Sequence, residues 1–195
     1  MFVHLHTHSH YSFLEGLPSP AELVQAACQA GMPALALTDT NGLSGAVEFQ
    51  DHCDLAGIQP IFGMSCWLRP PGSDQTPSEQ HTFHPAPQQA ATPNVEHVVL
   101  LTENAAGWSN LCWLSSKLHS QASGEVMPLT LEDLSAHSQG LICLAGGVRS
   151  WSAYQLHNHQ ETLTQAWISD LSQIFSKGLY INLQIHHPQD ARRSA

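Results

Sequence analysis

Apolar positions along the chain alternate between short unbroken runs and stretches at helical i, i+3, i+4 spacing. Phe2 to Thr7 reads as a strand. Ser19-Pro20 supplies an N-cap and a proline at the first helical position, Leu23, Ala26, Ala27 and Ala30 recur at helical spacing, and Gly31 stops the helix. Pro33 to Thr38 is an apolar run of the kind covered on both faces. Leu43 to Ala56 reads as a helix with Val47 and Leu55 near one face, ended by Gly57, and Pro60 to Gly63 begins another strand. Later come a strand at His97–Leu101 and a helix at Ala105–His119 bearing Trp108, Leu111, Leu114 and Leu118. A capping-box-like start follows at Thr130–Asp133, then a strand at Leu141–Ala145, a helix at Glu161–Ser176 and a strand at Leu179–Ile185. Six or seven β–α units predict a parallel α/β architecture, either barrel or open sheet.

Residues 70–94 break the rhythm. They hold six of the 12 prolines among Gln, Ser, Thr and Ala, and read as a surface insertion whose His81 and His84 are exposed loop residues. The chain as a whole, residues 1–195, reads as one domain with this insertion inside it; it stops just after a strand, so a closing helix-and-strand unit is expected to be absent.

Charge narrows the function. Six Lys and Arg against 16 Asp and Glu give a formal net charge of −10, which argues against a direct grip on nucleic acid by this chain. No apolar run approaches the roughly 18 residues of a membrane span, and the start lacks the pattern of a signal peptide. The five cysteines include no C-x-x-C pair, which predicts reduced thiols in a core and a cytoplasmic location. No phosphate-cradling glycine loop and no G-x-S-x-G turn occurs.

The 14 histidines are the compositional excess. His4, His6, His8 and His10 share one parity, so an extended chain points them to one side. Neighbours two apart lie about 6.6 Å apart along a strand, and two imidazoles so placed can converge on one ion at about 2.0–2.1 Å. His6 and His8 would suit Zn²⁺, Mn²⁺ or Fe²⁺. On spacing alone, a polar-faced edge strand explains them equally well.

Taken in order, several motifs resemble the polymerase and histidinol phosphatase (PHP) family, most of all the amino-terminal domain of bacterial DNA polymerase III alpha subunits, including the error-prone branch. They are Val3-His-Leu-His-Thr-His-Ser-His-Tyr-Ser-Phe-Leu-Glu-Gly16, Ala30-Gly-Met-Pro-Ala-Leu-Ala-Leu-Thr-Asp39, Gly45-Ala-Val-Glu-Phe49 and Ala56-Gly-Ile-Gln-Pro-Ile-Phe-Gly63. Leu101 to Leu111, Gly140 to Gly146 and Leu179 to His186 continue the likeness.

The resemblance implies a distorted (βα)₇ barrel, here lacking its last unit, with up to three metal ions at the C-terminal ends of the strands. Of the ligand positions it implies, His6, His8 and His97 are kept, and Glu15 stands where the family has Asp. Thr40, Ser65 and Gly147 replace a histidine, a glutamate and a cysteine, and the last Asp-x-His pair would lie beyond residue 195. Asp39 is expected either to orient a histidine or to cap the next loop. The expectation is therefore a degenerate site of one Zn²⁺ or Mn²⁺ on His6, His8, Glu15 and His97, with no catalytic residue and no full three-metal cluster.

By the same resemblance the chain is a scaffold within a DNA-directed DNA polymerase, a nucleotidyltransferase of DNA replication or translesion synthesis, and unable to polymerise alone. Its partners would be the remainder of the polymerase chain and a proofreading exonuclease subunit, with DNA met only indirectly and no membrane. A free-standing metal-dependent phosphoesterase and a purely structural α/β domain are the competing readings.

Overall fold

Ser19 opens the first helix by accepting from the Glu22 amide at 3.2 Å while the Glu22 carboxylate accepts from the Ser19 amide at 2.7 Å. In the computed structural model, which describes residues 2–72, 95–120, 126–147 and 150–183, that helix is α1 (Pro20–Gln29). It is followed by β1 (Ala34–Leu37), α2 (Ala46–Ala56), β2 (Gln59–Leu68) and β3 (Glu96–Thr102). The order continues with α3 (Ala105–Leu118), α4 (Leu131–Ala136), β4 (Leu141–Ala145), α5 (Trp151–His157), α6 (Glu161–Ile174) and β5 (Leu179–Ile181).

The five strands lie in the order β1-β2-β3-β4-β5. The sheet is mixed, which corrects the expectation of a parallel one. β1 and β2 are parallel, as are β4 and β5, but β3 runs antiparallel to both its neighbours. The reason is that the chain returns from the end of the sheet where β2 leaves it, so Glu96 at the start of β3 stands opposite Leu68 at the end of β2. An antiparallel return needs no helical crossover.

Register divides the core into two faces. Met64, Cys66 and Leu68 of β2 and Val98 and Leu100 of β3 pack outward, with Leu111, Leu114 and Leu118 of α3 and Trp167 of α6. Ala36, Val99, Leu101 and Leu144 form a smaller inner cluster, with Ile61 and Ile142 against it. The strands therefore bury apolar side chains on both sides, as a helix-covered barrel wall must.

Two local expectations are also corrected, and two features are added. Phe2 to Thr7 is extended but not a regular strand. Ala36 donates to the His4 carbonyl at 3.0 Å and Thr38 donates to the Thr7 carbonyl at 2.9 Å, so three steps of this segment oppose two of β1. The mismatch is bulge-like, and Thr38 Oγ1 fills the gap by accepting from the Thr7 amide at 2.9 Å. In α2, Val47 and Leu55 are 75% and 85% exposed while Ala46, Phe49 and Cys53 face the core; Val47 lies about 100° round the helix from Ala46. α5, capped by Ser150, was not expected, and its Trp151 packs edge-on against Trp167 at 6.2 Å. Trp113, partly exposed, stacks on His137 at 3.7 Å.

His81 and His84, most of the Pro-rich stretch, His186, His187 and the chain end lie outside the described residues. No helix of the described residues is long and apolar enough to cross a membrane.

Candidate metal centre

The site begins with a buried acid at the end of β1. Asp39 accepts three hydrogen bonds: from the Ser9 amide at 2.7 Å, from Ser9 Oγ at 2.8 Å and from Ser12 Oγ at 2.6 Å. Ser9, Ser12 and Asp39 are all buried. Between the two serines the chain turns tightly, Ser12 donating to the Ser9 carbonyl at 2.9 Å and Gly16 to the Ser12 carbonyl at 3.1 Å. Gly16 is required there, because a Cβ at that position would collide with the Ser9 carbonyl oxygen. Asp39 thus holds the histidine-bearing loop and commits three of its roughly four acceptor sites to it.

Two of the four N-terminal histidines meet. His6 Nε2 lies 2.9 Å from His8 Nε2, whereas His4 and His10 are exposed beside Phe2 and Tyr11. On its other edge, His8 Nδ1 stands 3.0 Å from Ser12 Oγ, 3.4 Å from Thr40 Oγ1 and 3.8 Å from Glu15 Oε2. Burial lowers the His8 pKa below its ordinary value, against the opposing pull of Glu15 and Asp39. That direction favours the neutral imidazole, the form that can ligate a metal. His6 Nδ1 lies 2.9 Å from Asn182 Nδ2, at the end of β5.

Strand register places the other positions. Thr40 bridges Ser65, and Ser65 pairs with Val99 of β3. One step nearer the sheet end, His97 pairs with Trp67. Gly146 follows Ala145, whose carbonyl accepts from the Asn182 amide at 2.7 Å. By alternation, Thr40, Ser65, His97 and Asn182 share the inner face with Val99 and Leu144. Thr40 donates to Glu15 Oε2.

These residues fit a pair of ligands better than a cluster. Two nitrogens about 2.0–2.1 Å from one ion, at angles between a right angle and a tetrahedral one, stand about 2.9–3.3 Å apart, and the His6–His8 spacing of 2.9 Å lies in that range. Glu15 approaches His8 from the Nδ1 edge, opposite the nitrogen that faces His6. Among the described residues no three His, Cys, Asp or Glu side chains gather closely enough to hold an ion, so His97 does not complete the pair. Thr40 and Ser65 offer hydroxyls and Gly147 offers no side chain. A divalent ion bound at the pair would supply Lewis acidity, while Ser12 and Asn182 would orient the two rings.

Sequence reasoning missed Ser9, Ser12, Asn182 and Glu96. The serines were signalled only by two small polar residues inside the histidine motif. Asn182 comes from a strand 176 residues away in the chain and left no local signal. Glu96 sits next to His97 but faces the outer side, where its Oε2 accepts from the Ser152 amide at 2.8 Å at the start of α5. Its Oε1 is buried without a hydrogen-bond partner among the described residues, and burial pushes its pKa up to about 7. Burial likewise pushes the Cys66 thiol up to about 12, which makes it a packing residue and not a nucleophile.

The PHP domain profile matches residues 4–186. The chain belongs to the PHP family. This PHP domain is 33% identical over 187 residues to DNA polymerase III subunit alpha of Chlamydia pneumoniae, covering 95% of the chain but 14% of that polymerase. To the same subunit of Treponema pallidum it is 35% identical over 155 residues, covering 80% of the chain and 12% of the polymerase. The match falls in the N-terminal part of these much longer proteins. Among solved structures, an amidohydrolase from Chromobacterium violaceum superposes with a TM-score of 0.55 at 15% identity, over 98% of this chain and 80% of that one. That likeness supports the barrel-type fold of a PHP domain.

Proposed function

We propose that this PHP domain is a structural module of a DNA polymerase III alpha-type protein, with a reduced metal site that holds one Zn²⁺ or Mn²⁺ on His6 and His8. The supporting observation is the fate of Asp39 and its neighbours: the acid at the mouth of the barrel is engaged by three hydrogen bonds from Ser9 and Ser12, and Thr40 and Ser65 stand where the resemblance calls for ligands. Glu15 and His97 belong to the same rim without joining the pair. Two imidazoles and little negative charge cannot offset the charge of three divalent ions. The module would then serve replication by supporting the rest of a polymerase chain and docking a proofreading exonuclease subunit, in the cytoplasm, with DNA met only through those partners. Its net charge of −10 fits that indirect role.

Elemental analysis of the untagged chain after loading with Zn²⁺ or Mn²⁺ tests the site. At most one ion per chain is expected, lost when His6 and His8 are both changed to Ala, with no hydrolysis of a chromogenic phosphoester. Two or three ions with turnover would replace this reading with a metal-dependent phosphoesterase. The scaffold role is tested by substituting this chain for the N-terminal region of a DNA polymerase III alpha subunit. The chimera should extend primers and retain its exonuclease on gel filtration; an insoluble or inactive chimera would count against it.

A further inference from the structure

The contact between His6 and Asn182 joins the first ion-facing ring to the last described strand, and its chemistry has a direction. Asn182 presents Nδ2 to His6 Nδ1 at 2.9 Å. An amide nitrogen only donates, so His6 Nδ1 must accept and the proton of the neutral ring sits on Nε2. That proton points at His8 Nε2, 2.9 Å away. His8 Nε2 must then accept, which puts the His8 proton on Nδ1, 3.0 Å from Ser12 Oγ. Ser12 in turn donates to Asp39 Oδ1 at 2.6 Å. The donors all run one way, from Asn182 through His6, His8 and Ser12 to Asp39.

In this arrangement one of the two facing Nε2 atoms carries a proton and cannot bind a metal. Turning the Asn182 carboxamide by half a rotation would bring Oδ1 to His6 Nδ1. The His6 proton would then sit on Nδ1, and both Nε2 atoms would present lone pairs to each other, a state favoured only with a cation between them. We propose that Asn182 is a positioning residue that sets the tautomer of His6, and so decides whether the His6–His8 pair is a closed hydrogen bond or an open ion site. The proposal rests on reading His6 and His8 as the pair that holds the ion. Asn182 would act through the far edge of the ring, at His6 Nδ1, as orienting partners of metal-bound histidines do.

The test uses the 195-residue chain, ¹⁵N-labelled and metal-free at pH 8. Long-range ¹H–¹⁵N correlation reads each histidine tautomer, with His6 assigned from the spectrum of His6→Gln. Wild type should show His6 protonated on Nε2 and His8 on Nδ1. In Asn182→Asp the carboxylate can only accept, so His6 should move its proton to Nδ1, and Co²⁺ followed by visible absorption should bind about 10–100-fold more tightly. Asn182→Leu, of similar size, should populate both His6 tautomers. His6 protonated on Nδ1 in wild type, or an unchanged tautomer in Asn182→Asp, would overturn the proposal, and the wild-type spectrum decides alone if the variant does not fold. A switched tautomer with no Co²⁺ band would leave the hold of Asn182 on His6 standing and sink the ion-site reading instead.

Discussion

Ser12 Oγ donates to the buried Asp39 Oδ1 at 2.6 Å, and the same oxygen accepts from the Thr40 amide at 3.0 Å. One small hydroxyl therefore pins the histidine loop to the end of β1. Asp39→Ala would leave the Ser9 amide, Ser9 Oγ and Ser12 Oγ buried without their acceptor. Unsatisfied buried groups cost about 1–3 kcal/mol each, so urea denaturation should show a loss of about 3 kcal/mol or more. The same variant should lose whatever Zn²⁺ the wild type holds, because the His8 ring is no longer fixed.

Gly16→Ala probes the same loop from the outside. The added methyl would strike the Ser9 carbonyl, which is backbone and cannot step aside. A midpoint shift worth about 2 kcal/mol or more is expected in chemical denaturation. Gly31→Ala serves as the control: its φ of +65° strains alanine, but the space around it is open, so its cost should be smaller.

The buried carboxyl of Glu96 makes stability depend on pH. Burial raises its pKa from 4.5 to about 7, so between those values the folded protein binds more protons than the unfolded chain. Stability from this group is therefore highest below pH 4.5 and falls as pH rises toward 7, by up to roughly 3 kcal/mol. Glu96→Gln keeps an acceptor for the Ser152 amide and should flatten that slope. Denaturation curves at half-unit steps from pH 5 to pH 8 measure it, and an equal slope in both proteins would mean that Glu96 is ionised throughout.

Restoring donors should rebuild an ion site. Thr40 and Ser65 are bridged neighbours on the inner face, so Thr40→His with Ser65→Glu adds an imidazole and a carboxylate side by side. Zn²⁺ affinity measured by competition with a chelator should rise at least tenfold over wild type. No change would mean that the bridge points these side chains away from His6 and His8.

Much of this fold could be read from apolar runs and capping residues. Leu141–Ala145 and the span of α3 follow from them because local pattern decides local structure. Strand direction was not legible: the run His97–Leu101 is equally apolar read either way, and only the return from Leu68 makes β3 antiparallel. The inner face of the site was half legible. Parity brought His6 and His8 together, but it also grouped His4 and His10 with them, because a bulge against β1 cannot be seen in alternation. The part played by Asp39 stayed open until its three donors were visible.

The contact of His6 with Asn182 also sets an order of events. It spans 176 residues of chain, and closing a loop of that length costs about 4–5 kcal/mol in chain entropy before any contact repays it. Contacts of such separation form late, once the intervening strands have paired. His6 leaves the ribosome 176 residues before Asn182 and waits through the synthesis of the intervening strands before Asn182 reaches it. A nascent or partly folded chain thus carries His6 and His8 without the Asn182 contact, which belongs to the finished fold.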